Sequence, residues 1–221
     1  MTLKNQITRA SLNTSLLLLV FASLFIHPIP ALALEDRGAA LPNFTDFSNS
    51  VQNGQAYDLR GVYVPNTLAL PIVQQPSGKA AYVSNNAGEA TQFRMASQYG
   101  NVGLLAHNHL AGQAFSQLLP GREVRLVYGD GKVEYFIVTE VLRYQALQPD
   151  SPWSSFRDLN KKTDEILSVE QVFKRVYFGD RHVTFQTCIE AEGNMSWGRL
   201  FVLAIPKSEY ARLTHQALAS Q

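Results

Sequence analysis

The hydrophobic pattern of the chain consists of short alternating runs separated by residues that favour turns. Alternation of apolar and polar residues over a few positions predicts a β-strand, and many such runs with frequent turns are typical of an all-β barrel or sandwich. A Gly-Asp-Gly turn at residues 129–131 lies between two of these runs and predicts a β-hairpin. The predicted strands are residues 60–65, 69–73, 80–83, 101–107, 121–128, 133–141, 183–189 and 199–205.

Two segments have the pattern of helices. Ser168 and Gln171 have the spacing of a capping box, which predicts a helix over residues 168–177. A second helix is predicted at residues 208–219, near the C-terminus. The other segments are less regular and comprise residues 91–99, predicted to be short helical or irregular, and two predicted loops with Pro or Gly, 143–162 and 190–198.

Residues 1–33 have the composition of a secretory signal peptide. Lys4 and Arg9 precede an apolar core of about a dozen residues, and Ala31-Leu32-Ala33 fits the small-x-small cleavage pattern. The core is shorter than the roughly 20 apolar residues that a spanning helix needs, and an uncleaved N-terminal anchor is the alternative. Residues 34–56 show no sustained period and are predicted to be a linker. The pattern predicts a secreted or cell-surface protein.

Charge and cysteine content narrow the classes of function. The formal net charge is +1, and the predicted signal peptide contains two basic residues and no acidic one, so its removal changes the charge to −1. No basic run rises above this background, so the composition gives no support to nucleic-acid binding. The chain has one cysteine, Cys188. No intramolecular disulfide can form, and stability must come from packing.

The single cysteine lies near the end of the predicted strand 183–189. Alternation divides this strand into two faces. The apolar face has Val183, Phe185 and Ile189. The more polar face has Thr184, Gln186 and Cys188. If strand 199–205 pairs antiparallel with it, Cys188 and Arg199 lie side by side. A lone cysteine is most often a small buried hydrophobic residue, but this arrangement would place a thiol beside a guanidinium.

The segment Thr184-Phe-Gln-Thr-Cys188, followed by Arg199, resembles the Thr-Leu-x-Thr-Cys … Arg signature of the sortases. Sortases are cysteine transpeptidases that join proteins with a sorting signal to cell-surface amines. The family also has an upstream histidine at the end of a strand, preceded by glycine. Ala106-His107 is similar to that motif, with alanine in place of glycine. The resemblance covers residues 57–206.

This resemblance implies a fold, a division of the chain and a set of partners. The fold is a closed β-barrel of roughly eight strands with short peripheral helices, formed by residues 57–206. Residues 207–221 would be a C-terminal helical tail, and no cofactor is implied. The expected partners are a peptide or protein with a sorting-type signal, and an acceptor amine or water. The sequence specifies neither the signal nor the acceptor.

The resemblance assigns catalysis to Cys188, His107 and Arg199. A cysteine thiol is mostly protonated at neutral pH, so a nearby base or positive charge must raise the thiolate fraction. His107 is the candidate acid/base, and Arg199 is the candidate clamp for the substrate backbone or the oxyanion. Thr187 is expected to bind the oxyanion through its backbone N–H or its hydroxyl. Trp197 is expected either to wall a peptide groove or to pack against its own loop.

Two other classes of function fit parts of the sequence. A secreted binding or structural module would keep the fold without turnover, which a cleaved signal peptide and Ala106 both favour. His107, His109 and Cys188 form a possible copper or zinc set, although no fourth ligand is evident and Arg199 would repel a cation. Outside such a metal site, His109 is expected to be a loop residue bonded to backbone.

Overall fold

The computed structural model describes residues 41–220, so the predicted signal peptide and residues 34–40 of the predicted linker lie outside the described residues. Within this range the strands are β1 (Leu59–Val64), β2 (Leu68–Gln74), β3 (Ala90–Phe93), β4 (Val102–Leu105), β5 (Glu123–Tyr128), β6 (Val133–Ala146), β7 (Phe156–Asp158), β8 (Ile166–Leu167), β9 (Val183–Ala191) and β10 (Asn194–Pro206). The helices are α1 (Phe44–Val51), α2 (Arg94–Ser97), α3 (Val169–Tyr177), α4 (Lys207–Ala219) and a 3-10 helix (Ala111–Gln117).

The sheet closes into a barrel because β10 pairs with both β9 and β6. The closed ring has eight strands in the order β10-β9-β4-β3-β2-β1-β5-β6, and β7 and β8 extend the sheet from β6. The pairings of β2 with β3 and of β4 with β9 are parallel, and the others are antiparallel. The predicted fold, mostly β with a closed barrel of about eight strands and short helices, is confirmed.

The barrel interior is an apolar core to which all eight ring strands contribute. Its fully buried members include Val62, Leu104, Phe185 and Val202, and Phe115 of the 3-10 helix joins them. These are the inward positions that alternation predicts for the strands. Burial of apolar surface contributes about 25 cal/mol per Å², so this cluster stabilises a chain in which no intramolecular disulfide can form.

A second buried cluster lies outside the barrel, beneath α3. Phe173 of α3 packs with Leu105 of β4 and Phe201 of β10. The helix begins after Ser168, whose side chain accepts a hydrogen bond from the Gln171 backbone while the Gln171 side chain bonds the Ser168 backbone. The predicted helix and its capping box are therefore confirmed. The C-terminal helix is confirmed as α4, in which no residue is buried.

The strand predicted at residues 80–83 is wrong. These residues form a loop, and the strand that pairs with β2 begins at Ala90. The Gln75 side chain donates hydrogen bonds to the carbonyls of Ala80 (2.9 Å) and Tyr82 (3.0 Å), so the loop backbone is satisfied without a partner strand. β3 and α2 therefore occupy most of the segment that the sequence predicts to be short helical or irregular.

Both predicted loops contain more strand than expected. β6 continues to Ala146, and β7 lies inside the predicted loop 143–162. β9 and β10 take up most of residues 190–198, so only Glu192 and Gly193 connect them. Both residues have positive φ, 53° and 74°, as in the two-residue type I′ turn whose twist matches antiparallel strands.

Part of the predicted linker is helix α1, which packs on the barrel. Phe47 and Val51 are buried against Tyr63 and Val127. Asn43 caps the helix, since its side chain accepts a hydrogen bond from the Asp46 backbone. Among the helices within residues 41–220, none has the length and apolar character to cross a membrane.

Candidate active site

His107, Cys188 and Arg199 belong to three neighbouring segments of the sheet, and we refer to them as the row. β4 and β9 are parallel, and their ladder ends with Leu105 opposite Gln186, two residues before His107 and Cys188 respectively. On the other side of β9, Arg199 of β10 is the antiparallel partner of Cys188. Neighbouring strands lie about 4.8 Å apart, so Arg199 is adjacent to Cys188 along the sheet, and the segment that carries His107 follows β4 on the other side of β9.

The row lies on the outer face of β9. Thr184 and Gln186, the two preceding residues of that face, are bound by the last turn of α3. The Thr184 hydroxyl donates to the Val176 carbonyl, and the Tyr177 hydroxyl donates to the Gln186 side chain. The predicted division of the strand into two faces is therefore confirmed. Cys188 follows on the same face, and it is 7% exposed.

Arg199 is almost completely buried, with 1% of its surface exposed. Its Nη1 donates hydrogen bonds to the carbonyls of Ser196 and Gly198, both at 2.9 Å. The guanidinium is always charged and has five donors in a rigid fork. Two backbone carbonyls therefore hold the permanently charged group of the residue that is paired with Cys188.

A bulge in β10 provides one of these carbonyls. Ala191 pairs with Asn194, but Ile189 pairs with Gly198. Residues 195–197 of β10 therefore lie opposite a single residue of β9, Glu190. The Ser196 backbone N–H is held by the Asn194 side chain at 2.7 Å. We refer to residues 195–197 as the β10 bulge. Bulges of this kind redirect a strand and its side chains next to functional sites.

The segment after His107 is anchored by the His107 carbonyl. This oxygen accepts hydrogen bonds from the backbone N–H groups of Leu110 and Gly112, both at 3.0 Å. Gly112 lies in the 3-10 helix, and a Cβ there would be 2.3 Å from the Thr187 hydroxyl oxygen and 2.6 Å from the His107 carbonyl. The 3-10 helix thus packs directly under the His107 backbone and β9.

His107 and His109 lie together rather than separately. Their rings are stacked with centroids 5.5 Å apart and an interplanar angle of 29°, so His109 is more than a backbone-bonded loop residue. Burial lowers the pKa of His107 below its usual value, and the charge of His109 lowers that pKa further. A hydrogen bond with the Val83 backbone acts in the opposite direction. The balance favours a neutral, proton-accepting His107.

Replacing His109 by glutamine is expected to raise the pKa of His107, because burial then remains as the lowering cause. NMR titration of the His107 ring measures this directly, and His215→Gln on the exposed helix α4 is the control. The folded protein binds the His107 proton less tightly than the unfolded chain. Stability from this group is therefore present above the ordinary pKa of 6.5 and is lost as the pH falls from there through the lowered pKa of the folded state, and less is lost in H109Q. An unchanged His107 titration in H109Q would contradict the stacked pair.

Thr187 and Trp197 occupy different surroundings from the row. The Thr187 side chain is on the barrel-interior face of β9, against Gly112, so its hydroxyl is on the opposite face from the Cys188 thiol. Of the two groups considered for Thr187, only the backbone N–H remains a candidate for the oxyanion. Trp197 belongs to the β10 bulge, is half-buried, and has an indole N–H without a hydrogen-bond partner among the residues described.

The metal alternative finds no ligand cluster in the described part of the chain. Within residues 41–220, no group of three His, Cys, Asp or Glu side chains has the arrangement to hold a metal ion. His182, the histidine just before β9, is buried and its ring contacts the carbonyls of Asp180 and Val176. Its position is structural.

No protein-family model matches the sequence, and no curated protein sequence matches it. Similar solved structures include several sortases. Sortase A of Listeria monocytogenes is 14% identical, with a TM-score of 0.44 over 68% of this chain and 87% of that chain. Sortase C-1 of Actinomyces oris is 12% identical, with a TM-score of 0.45 over 76% of this chain and 82% of that chain. A second Actinomyces oris sortase is 18% identical, with a TM-score of 0.43 over 70% and 82%.

Proposed function

We propose that the protein is an exported, sortase-like cysteine transpeptidase or peptidase that acts on an extended peptide. The observation that carries this proposal is the pairing of Cys188 with Arg199, together with His107 two residues beyond the end of β4, the strand on the other side of β9. A nucleophile flanked by an acid/base and a fixed cation is the arrangement that acyl transfer by a thiol requires. No cofactor is needed for this chemistry.

The proposed reaction gives each member of the row a role. Neutral His107 accepts the thiol proton, and the Cys188 thiolate attacks a peptide carbonyl, whose oxygen becomes an oxyanion. Arg199 stabilises this oxyanion or holds the adjacent substrate backbone, with the Thr187 backbone N–H as a second candidate donor. The C–N bond then breaks, and the His107 imidazolium returns the proton to the departing amine. An acceptor amine, or water, resolves the thioester and frees the thiol.

A sortase-like activity would also imply where the protein acts and which partners it has. Residues 57–206 would form the catalytic domain, exported by the signal peptide 1–33. The substrate would be a peptide or protein with a sorting-type signal. Trp197, in the β10 bulge between Cys188 and Arg199, is the candidate wall of the peptide groove.

Thiol reactivity tests the proposal. Cys188 is labelled with a methanethiosulfonate reagent from mildly acidic to mildly alkaline pH, in the wild type, in His107→Ala and in Arg199→Ala. We expect fast labelling at neutral pH that becomes about tenfold slower in H107A, because the thiolate fraction falls when its base is removed. His215→Ala, on the exposed helix α4, is the matched control and should label like the wild type.

Arg199→Ala needs a second variant because the side chain is fully buried. Arg199→Lys retains a positive charge, and thermal unfolding of both variants separates a loss of charge from a loss of fold. Slow labelling that neither H107A nor R199K changes would contradict the proposal. The burial of Cys188 would then favour a second function, a secreted binding or structural module with the same fold and no turnover.

A further inference from the structure

The β10 bulge connects the two sides of the candidate site. The Ser196 carbonyl accepts a hydrogen bond from Arg199 at 2.9 Å, and the neighbouring Met195 carbonyl accepts one from the Asn108 side chain at 3.0 Å. Asn108 follows His107 directly in the chain. The consecutive carbonyls of Met195 and Ser196 therefore accept hydrogen bonds from both sides of β9. Ser196 binds Arg199 on β10, and Met195 binds Asn108 in the loop that carries His107.

The histidine needs such an anchor because of its position. β4 ends at Leu105, two residues before His107, so the assigned ladder with β9 stops short of it. The His107 carbonyl is bonded to the 3-10 helix, which fixes the backbone from one side. The bond from Asn108 to Met195 is the contact that ties the same loop across to β10.

We propose that Asn108 is a positioning residue of this site, fastening the His107 loop to the bulge that fixes Arg199. The role rests on the proposed function, since it acts through His107 on Cys188. It makes the spacing of the imidazole, the thiol and the guanidinium depend on one short piece of β10.

Two substitutions of Asn108 test this role. Asn108→Ala removes the side-chain amide, and Asn108→Asp keeps its shape but replaces the donor by an oxygen that the Met195 carbonyl repels. We expect both variants to label Cys188 with methanethiosulfonate about tenfold more slowly than the wild type, since small displacements of a catalytic group have large effects on rate. In the His107→Ala background, Asn108→Ala should cause no further loss, because it acts through His107.

The control is Ser116→Ala, which removes another local hydrogen bond, from Ser116 to the Gln113 carbonyl at 2.8 Å in the 3-10 helix. The NMR signal of the Met195 carbonyl carbon reports the bond itself, and we expect this signal to shift in N108A and N108D only. If that signal shifts while labelling stays at the wild-type rate, the positioning role is refuted. An additional loss in the H107A background also refutes it. If H107A itself labels like the wild type, the proposed function has failed, and the Met195 signal then decides the hydrogen bond separately.

Discussion

Cys188→Ser is expected to abolish acyl-enzyme formation with peptides that carry a sorting-type signal. Serine is nearly isosteric with cysteine, so the row of His107, Cys188 and Arg199 should keep its geometry. Its hydroxyl is a far weaker acid than a thiol, and an imidazole tuned to deprotonate a thiol does not activate it. We expect acylation to be slower by about a thousandfold or more.

Intact-mass measurement after incubation with a library of such peptides gives the result. The wild type should gain the mass of the N-terminal peptide fragment, and C188S should gain none. A thermal unfolding curve of C188S close to that of the wild type would show that the loss is chemical, because Cys188 is buried and a misfolded variant would also be inactive. An adduct of the same mass in C188S, located by peptide mapping at a residue other than position 188, would contradict Cys188 as nucleophile.

The parts of the site that follow from strand periodicity were predictable from the sequence. Alternation in residues 183–189 places Cys188 on the polar face, and an antiparallel hairpin puts Arg199 beside it. The observed register pairs these two residues. The position of His107 follows from the parallel pairing of β4 with β9, which joins segments about 80 residues apart. No local sequence pattern predicts that pairing. Only the family resemblance indicates that His107 belongs to the site.

Other features depend on contacts between distant side chains. β3 replaces the predicted strand at 80–83 because the Gln75 side chain satisfies that loop, which alternation cannot reveal. Gly193, Asn194 and Gly198 favour turns, so the sequence predicts a loop where the structure has the β10 bulge. Only Glu192 and Gly193 form the turn between β9 and β10. The sequence does contain a signal for helix α1. Phe44, Phe47 and Val51 have helical spacing behind the Asn43 cap.

Gly112→Ala is expected to destabilise the protein and to slow Cys188 labelling together. A Cβ at this position would lie 2.3 Å from the Thr187 hydroxyl oxygen, 2.6 Å from the His107 carbonyl and 2.8 Å from the Ala106 carbonyl. The hydroxyl can rotate away, but the two carbonyls belong to the backbone that carries His107. Overpacking of this kind costs about 1–3 kcal/mol in the free energy of unfolding, and here the relaxation must displace the imidazole.

The double variant G112A/T187A separates the two contributions. If the carbonyl contacts dominate, removing the Thr187 hydroxyl restores little of either the stability or the labelling rate. Gly88→Ala is the matched control, because a Cβ there meets no atom within 4 Å, and it should behave as the wild type. Chemical denaturation and methanethiosulfonate labelling of the same samples give both quantities. Full recovery in G112A/T187A would mean that the strain reaches only the barrel-interior face of β9. In that case the 3-10 helix would not hold His107 in place, and the bond from Asn108 to the β10 bulge would be left as its principal anchor.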